Sequence, residues 1–178
     1  MRHGPLACVL GDMDLVRPLG LAGIRCAVVA RDGDPVRYSR FTAAALDWLD
    51  AWTEGERLLE RLIDLARTQP EPPVLFYEED RHLLLISRNR QRLAPHFRFV
   101  VADPELVEDL VDKSRFQALV ETLDLPVPPT RRLQAGRDGG ATIDLHFPLI
   151  LKPLARRSEV WRPLAGSAKA LRVETAEA

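Results

Sequence analysis

The sequence predicts an α/β protein in which a parallel-sheet domain is followed by the beginning of an α+β domain. Before Pro104, short apolar runs alternate with amphipathic stretches, and Gly and Asp lie at the turns between them. This alternation is typical of βαβ units and of a parallel sheet. After Thr130 the alternation stops, and a stretch with three glycines leads to an isolated apolar run that ends at Lys152. We therefore predict two domains, 1–103 and 104–178.

Composition excludes several classes of protein. The chain has 178 residues, of which 46% are hydrophobic and 29% charged, so it has enough apolar material for a sizeable core. A net charge of −1 gives no overall basic field, and we expect no nucleic-acid partner. No apolar run approaches the ~18 residues of a membrane span, and the amino terminus is not a convincing signal peptide. We therefore expect a cytoplasmic protein with no membrane partner.

The first domain is predicted from short apolar runs and from helical spacing. We predict strands at residues 6–10, 25–30, 43–46, 74–77 and 97–101. We predict helices at residues 15–22, 54–67 and 81–93, with a further helix that begins at 103–105. Asp12 or Asp14 is expected to cap the first helix, and the acidic residues 78–80 suit a helix start, where carboxylates meet free amides. Cys8 and Cys26 lie in apolar runs and are predicted to be small buried thiols in adjacent strands.

The stretch 112–130, DKSRFQALVETLDLPVPPT, joins two different pieces of architecture, a helix before its proline break and strands after it. Asp112 is a plausible N-cap of a helix. Four apolar residues at i, i+3, i+4 and i+7 predict one stripe that faces a core: Phe116, Leu119, Val120 and Leu123. Pro126 cannot continue the helix. Beyond it we predict a strand at 131–133, a loop at 134–142, a strand at 149–152, an irregular basic loop at 155–167 and a strand at 170–173. Residues 173–178 are predicted to enter a new helix capped by Thr175.

Two lysines are candidates for binding a polyphosphate. Lys113 lies in the first turn of a predicted helix, and Lys152 ends an apolar strand, from which it can project a flexible point charge into a cleft. The alternative is that both are ordinary solvated lysines. The loop after Lys152 contributes Arg156, Arg157 and Ser158 as further candidates, because cations and a hydroxyl there can form a lid over an anion. The alternative for this loop is a charged surface segment.

Other motifs carry weaker signals. Gly11 follows the first strand as in a dinucleotide-binding fold, but the second and third glycines are missing and Asp12 and Asp14 would repel a pyrophosphate. Asp32 would bind a ribose only in such a fold. The basic stretch 88–98 suits a solvated helix face better than an RNA contact. The histidines show no metal-ligand spacing with one another or with the cysteines, so we predict no metal site.

Three segments together resemble the amino-terminal lobe of the ATP-grasp superfamily. They are Asp112-Lys113 before a helix containing Phe116, the segment LPVPPT at 125–130, and the segment FPLILKP at 147–153. Their order is similar to that in carboxylate–amine ligases and in the large chain of carbamoyl-phosphate synthetase. The segment VLGDMDLVRPLGLAGI near the start is similar to the Rossmann-like pre-ATP-grasp domain that precedes this lobe. The resemblance covers nearly the whole chain.

The resemblance implies an ATP-dependent ligase that activates a carboxylate as an acyl-phosphate for attack by an amine. It implies ATP phosphates on Lys113 and Lys152, with small-molecule carboxylate and amine substrates near Asp12, Asp14 and Asp80. A homodimer is a further expectation, and no catalytic residue is assigned. The glycine-rich loop often found after the second lysine is replaced here by arginines.

The Mg²⁺ ligands and adenine contacts of such enzymes lie in a later lobe. We therefore expect a truncated piece of a longer ligase, inactive by itself. One alternative is a non-catalytic nucleotide- or dinucleotide-binding module that uses Gly11 and Asp32. Another is an interaction protein that uses the basic stretch 88–98.

Overall fold

The computed structural model describes residues 4–134, 143–154 and 158–175. The chain divides into two compact units, Met1–Val111 and Asp112–Ala178. The first unit extends to the end of the helix Pro104–Val111, so the compact units divide later in the chain than the predicted domain limits of 1–103 and 104–178. The predicted domain limits of 1–103 and 104–178 therefore stay a prediction. Among the described residues, no helix has both the length and the apolar run that a membrane span requires.

The first unit contains a four-stranded parallel sheet. Its strands are β1 (Ala7–Leu10), β2 (Cys26–Ala30), β3 (Thr42–Asp47) and β4 (Val74–Tyr77). The strand order is β3-β2-β1-β4, and every pair is parallel. The predicted parallel sheet is confirmed. Because β1 connects to β2 on one side and pairs with β4 on the other, the strand order reverses between β1 and β4.

Helices cover both faces of the sheet, as the alternation of side chains along β1 requires. Cys8 and Leu10 join the hydrophobic cluster that contains the buried leucines of the second helix, whereas Ala7 and Val9 join the cluster that contains Val16 of the first helix. Successive side chains of a strand point to opposite faces, so a strand buried on both faces is apolar throughout. The helices of this unit are α1 (Met13–Leu21), α2 (Gly55–Arg67), α3 (Asp80–Arg88), α4 (Arg90–Leu93) and α5 (Pro104–Val111). A 3₁₀ helix also spans Pro35–Tyr38.

Two predictions for this unit need correction. The predicted helix 81–93 is interrupted at Asn89, whose backbone (φ −115°, ψ 20°) leaves the helix while its side-chain amide donates to the carbonyl oxygen of Leu85 at 2.9 Å. A side chain that bonds the local backbone competes with helix continuation. The predicted strand 97–101 is reduced to a single parallel bridge between Val74 and Arg98. The carbonyl oxygen of Val100 instead accepts the hydroxyl of Tyr77 at 2.8 Å.

The second unit contains α6 (Lys113–Thr122), α7 (Ser158–Ala165) and an antiparallel pair of strands, β5 (Leu149–Leu151) and β6 (Leu171–Val173). The predictions of a helix after Asp112 and of strands at 149–152 and 170–173 are confirmed. The predicted strand 131–133 is wrong, because no ladder forms there. The predicted irregular loop 155–167 is wrong over Ser158–Ala165, where α7 forms. The loop at 134–142 lies outside the described residues from 135 onward, and of the helix start predicted at 173–178 residues 176–178 lie outside them.

The apolar stripe predicted for α6 is only partly correct. Val120 is buried, but Phe116 is 39% exposed and Leu123, at the helix C-cap, is 56% exposed. The spacing along the sequence identifies a helix face, but it does not specify how much of that face the rest of the chain covers.

Candidate functional site

The amino-terminal end of α6 positions the first predicted lysine. The carboxylate of Asp112 accepts the backbone N–H groups of Ser114 at 2.7 Å and Arg115 at 2.9 Å, which confirms the predicted N-cap. Hydrogen bonds from the backbone of Arg115 and Ser114 lower the pKa of Asp112. The cap therefore fixes where the helix begins, and it places Lys113 at the first helical position.

The structure brings Lys113 to the chain segment that follows Lys152. The Nζ of Lys113 donates to the backbone carbonyl oxygen of Leu154 at 2.9 Å, and Leu154 lies two residues beyond Lys152, which directly follows β5. Both lysines are exposed, and neither has a carboxylate partner among the described residues. Lys113 thus contacts the segment that follows Lys152, and each of the two lysines carries a charge that an anion can neutralise.

The remaining nucleotide-side candidates lie mostly outside the described part of the chain. This holds for Arg156, for Arg157 and for the side chain of Ser158. The backbone of Ser158 begins α7. Within that helix the indole Nε1 of Trp161 donates to the carbonyl oxygen of Ala168 at 2.7 Å, which ties the helix to the segment before β6.

The carboxyl ends of β1 and β4 form the second place where candidate residues meet. The carboxylate of Glu78, directly after β4, accepts the backbone N–H of Asp12 at 3.1 Å. A Cβ added to Gly11 would lie 2.6 Å from the Cδ of Glu78, so a side chain at this position would displace the carboxylate from where it lies. In open α/β sheets, ligands bind outside the carboxyl ends of the strands where the strand order reverses, and this is that position.

The acidic residues at this edge influence one another. Burial of the Glu78 side chain raises its pKa, and the nearby negative charges of Asp12, Asp14 and Glu79 act in the same direction. Asp12 also accepts the backbone N–H of Asp14 at 2.8 Å, which confirms the predicted cap. Asp80 lies exposed in the first turn of α3, and its side chain has no hydrogen bond or ion pair among the described residues. The structure thus groups Asp12 and Asp14 with Glu78 rather than with Asp80.

The acidic residues 78–80 cap α3 less directly than expected. Glu79 occupies the N-cap position, but its side chain makes no capping hydrogen bond. It pairs instead with Arg81, from which its Oε1 accepts a hydrogen bond at 2.7 Å. The described residues contain no group of three His, Cys, Asp or Glu side chains that could hold a metal ion.

An aromatic and cationic cluster at the same sheet edge was missed by sequence reasoning. Arg31 directly follows β2, Trp48 directly follows β3, and the Cζ of Arg31 lies 3.6 Å from the centroid of the indole ring. The Cζ of Arg81 lies 5.6 Å from the same ring. The available signal was positional, because Arg31 directly follows the predicted strand 25–30 and Trp48 lies two residues beyond the predicted strand 43–46, but their contact is tertiary.

Buried reactive groups lie behind this edge. His82, in the first turn of α3, is only 5% exposed, and its Nδ1 has no hydrogen-bond partner among the described residues. Burial lowers the pKa of His82, an effect that the negative charge of Glu79 opposes. Cys8 and Cys26 are free and buried in the adjacent strands β1 and β2, as predicted. Burial raises the pKa of Cys8 to about 12.

Intramolecular partners occupy three of the four arginines of the basic stretch 88–98. Arg88 donates two hydrogen bonds to Glu108, at 2.7 and 2.9 Å, and Arg92 donates two to Glu56, at 2.8 and 2.6 Å. Arg90 donates to the backbone carbonyl oxygen of Ala102 at 2.7 Å. These contacts hold α3 and α4 against their neighbours, which favours the structural interpretation of this stretch.

Comparison with known proteins shows the fold. No protein-family model and no curated protein matches the sequence. An L-amino acid ligase from Bacillus licheniformis has a similar structure, with a TM-score of 0.70 and 12% identity over 99% of this chain and 39% of the ligase chain. The biotin carboxylase domain of a single-chain bacterial carboxylase is also similar, with a TM-score of 0.53 and 18% identity over 76% of this chain and 32% of that chain.

The fold that the sequence motifs implied is therefore confirmed. The chain has the fold of the amino-terminal part of ATP-grasp enzymes, and it spans 39% and 32% of the length of the two similar structures.

Proposed function

We propose that the chain is the amino-terminal part of an ATP-dependent ligase that activates a carboxylate as an acyl-phosphate for attack by an amine. The observation that carries the proposal is the hydrogen bond from Lys113 to Leu154. This bond brings Lys113 to the segment that follows Lys152, the other candidate for binding phosphate. The fold supports the same proposal, since both similar structures are ATP-grasp enzymes and one is an amino acid ligase.

Lys113 and Lys152 are the residues that would hold ATP phosphates. Lysine presents a compact charge on a flexible stem, which suits the neutralisation of a phosphoryl group during transfer. When bound, ATP supplies the phosphoryl group that activates the carboxylate. The described residues contain no cluster fitted to Mg²⁺, so we assign no role in metal binding to them.

The carboxyl edge of the sheet is the proposed substrate side. Asp12 and Asp14 lie there beside Glu78, and their negative charges suit a cationic amine. Because the chain spans less than half of either similar structure, we propose that it binds nucleotide only weakly and is inactive by itself.

Magnesium–ATP binding tests the proposal. We expect saturation-transfer NMR on the adenine protons to show weak binding to the chain, with a dissociation constant on the order of 1 mM. Replacing Lys113 or Lys152 with methionine should weaken this binding about tenfold, because a charged hydrogen-bond partner is lost. Lys169→Met provides the matched control, since Lys169 is the remaining lysine and is exposed in the same unit.

Two results would count against the proposal. Equal binding by the Lys113 and Lys169 variants would remove the role of the predicted phosphate lysines. Tight, magnesium-dependent binding by the unmodified chain would contradict the expectation that most of the site is supplied by other residues.

The dinucleotide-binding alternative is disfavoured by the contacts around Gly11. In such folds a pyrophosphate accepts the free N–H groups at the start of the first helix. Here the carboxylates of Glu78 and Asp12 already accept the N–H groups of Asp12 and Asp14. A second anion at this position would meet these negative charges.

A further inference from the structure

Two arginines of the first unit converge on one indole ring. Arg31 comes from the loop after β2, Trp48 from the loop after β3, and Arg81 from the first turn of α3, which follows β4. The guanidinium carbons of the two arginines lie 3.6 and 5.6 Å from the centroid of the Trp48 ring. Two positive charges are therefore held around a single aromatic side chain at the carboxyl edge of the sheet.

The charges of this cluster are only partly neutralised. Arg81 pairs with Glu79, whereas the guanidinium of Arg31 has no carboxylate or hydrogen-bond partner in the part of the chain that the structure describes. Stacking on Trp48 uses the face of the Arg31 guanidinium and leaves the N–H donors on its edge free. An indole ring that fixes the plane of a guanidinium also fixes the direction in which its donors point.

We propose that Arg31, held by Trp48 and assisted by Arg81, forms a binding subsite for a carboxylate of a small substrate. A carboxylate matches the planar fork of an arginine with two parallel hydrogen bonds, and neighbouring positive charge strengthens the attraction. This carboxylate is one that does not react, such as that of an amino acid supplied as the amine. The inference rests on the proposed function and deepens it, because it proposes that the amine substrate also carries a carboxylate.

The position in the fold supports a ligand rather than a purely structural contact. The carboxyl ends of parallel strands are where open α/β sheets bind their ligands, and both Arg31 and Trp48 are the first residues beyond such ends. Acidic residues at the ends of β1 and β4 lie on the same edge. This edge therefore offers both signs of charge, as an amino acid with an ammonium and a carboxylate requires.

The experiment is a titration of the chain with succinate, followed by the indole N–H signal of Trp48 in ¹⁵N-correlated NMR spectra. The chain has three tryptophans, so a Trp48→Phe variant assigns the signal. We expect a saturable shift at concentrations of tens of millimolar or below. Arg31→Gln should raise the dissociation constant about tenfold or more. Arg25→Gln is the matched control, because Arg25 is exposed and immediately precedes the same strand at its opposite end.

Three outcomes would overturn the proposal. They are no saturable shift with succinate, an equal response in the Arg31 and Arg25 variants, and a response to inorganic phosphate without one to succinate. The first would show that the stack only stabilises the loop, and the last would show a different anion. A Lys113→Met, Lys152→Met double variant should keep the succinate response, so failure of the subsite and failure of the ATP-binding proposal can be told apart.

Discussion

At the scale of single residues, burial controls the chemistry of the ionisable groups behind the sheet edge. His82 is almost completely buried, and its pKa is lowered because the protein interior penalises the charged imidazolium. The nearby Arg81 acts in the same direction, whereas Glu79 and Asp50 oppose it. The folded chain therefore disfavours the charged form of this histidine.

The stability of the first unit should consequently fall as the solution is acidified. The unfolded chain binds a proton at His82 near the ordinary pKa of about 6.5, whereas the folded chain does so only at lower pH. Between the two values the unfolded state binds more protons, so the free energy of unfolding decreases with falling pH. Each unit of pKa difference corresponds to about 1.4 kcal/mol. Urea unfolding at a series of pH values from 7.5 downward, set about one unit apart, measures the slope of the free energy of unfolding against pH.

A His82→Gln variant should show a smaller slope over this pH range, whatever its absolute stability. His96→Gln, in the same unit, serves as the control and should keep the slope of the unmodified chain. Unfolding is best followed in a Trp161→Phe background, because only the indoles of Trp48 and Trp52 in the first unit then report. An unchanged slope in the His82 variant would refute this account.

Contacts between residues that are close in the sequence were predictable, and contacts between residues that are distant in the sequence were not. Asp12 and Asp112 cap the helices that follow them, as their positions before the helices indicate. The bond from Asp12 to Glu78 joins residues that are distant in the sequence. The stacking of Arg31 on Trp48 depends likewise on the adjacency of β2 and β3. Of the candidate site, sequence reasoning therefore named the lysines and aspartates as candidates, but it did not predict the contacts that surround them.

At the scale of elements, the same hydrogen-bonded motif ends α1 and α6. After α1, the N–H of Gly23 donates to the carbonyl oxygen of Gly20 and that of Ile24 donates to Leu19, each at 3.0 Å. After α6, the N–H of Asp124 donates to Glu121 at 3.2 Å and that of Leu125 to Val120 at 3.0 Å. Both are Schellman motifs, which require a left-handed residue after the C-cap. Gly23 supplies it in the first case (φ 78°), and Asp124 in the second (φ 52°).

Asp124→Gly should therefore stabilise the second unit. A left-handed backbone is strained in residues that carry a Cβ, and glycine removes that strain. We expect a gain of about 1 kcal/mol in the free energy of unfolding, the order of the strain that a left-handed backbone imposes on a residue with a Cβ. Thermal unfolding followed by circular dichroism measures it.

The matched comparison is Ala118→Gly, in the interior of α6. In the interior of α6, glycine should lower the free energy of unfolding by about 1 kcal/mol, because it is a poor helix former. A loss of stability in the Asp124 variant would mean that its carboxylate contributes more than the backbone strain costs. The motif also explains why α6 ends at Thr122, before Pro126, which was the predicted cause of its termination.

The elements that sequence reasoning placed wrongly depend on competition for hydrogen bonds. Periodicity predicted one helix where Asn89 creates two, because a polar side chain there takes part in the backbone bonding. A strand was predicted at 97–101 from its apolar residues, but only Arg98 finds a ladder partner. Apolar composition indicates burial, and it does not specify which backbone groups will pair.

At the scale of the whole molecule, α5 belongs to the first compact unit. Its Val107 is buried, and its Glu108 accepts both hydrogen bonds from Arg88 of α3. The predicted limit at residue 103 would remove this helix from the sheet domain, whereas the compact unit ends at Val111. The two limits make different predictions about stability.

A chain ending at residue 111 should unfold cooperatively and be more stable than a chain ending at residue 103. Loss of one buried valine costs about 2 kcal/mol, before the loss of the ion pair. Urea unfolding followed by tryptophan emission compares the two chains. Equal midpoints would show that α5 contributes nothing to the first unit, and would favour the boundary at 103.

The strand order also dictates a sequence of events during synthesis. β1 is made first, yet it lies between β2 and β4, and Ala7 pairs with both Cys26 and Val74. A nascent chain therefore carries an apolar strand with one unpaired edge until β4 leaves the ribosome, on the order of seconds later at ordinary rates of translation. During that interval, the central strand is exposed to pairing with other chains. The apolar strand that gives the finished domain its core is thus also the segment that most needs protection while the chain is growing.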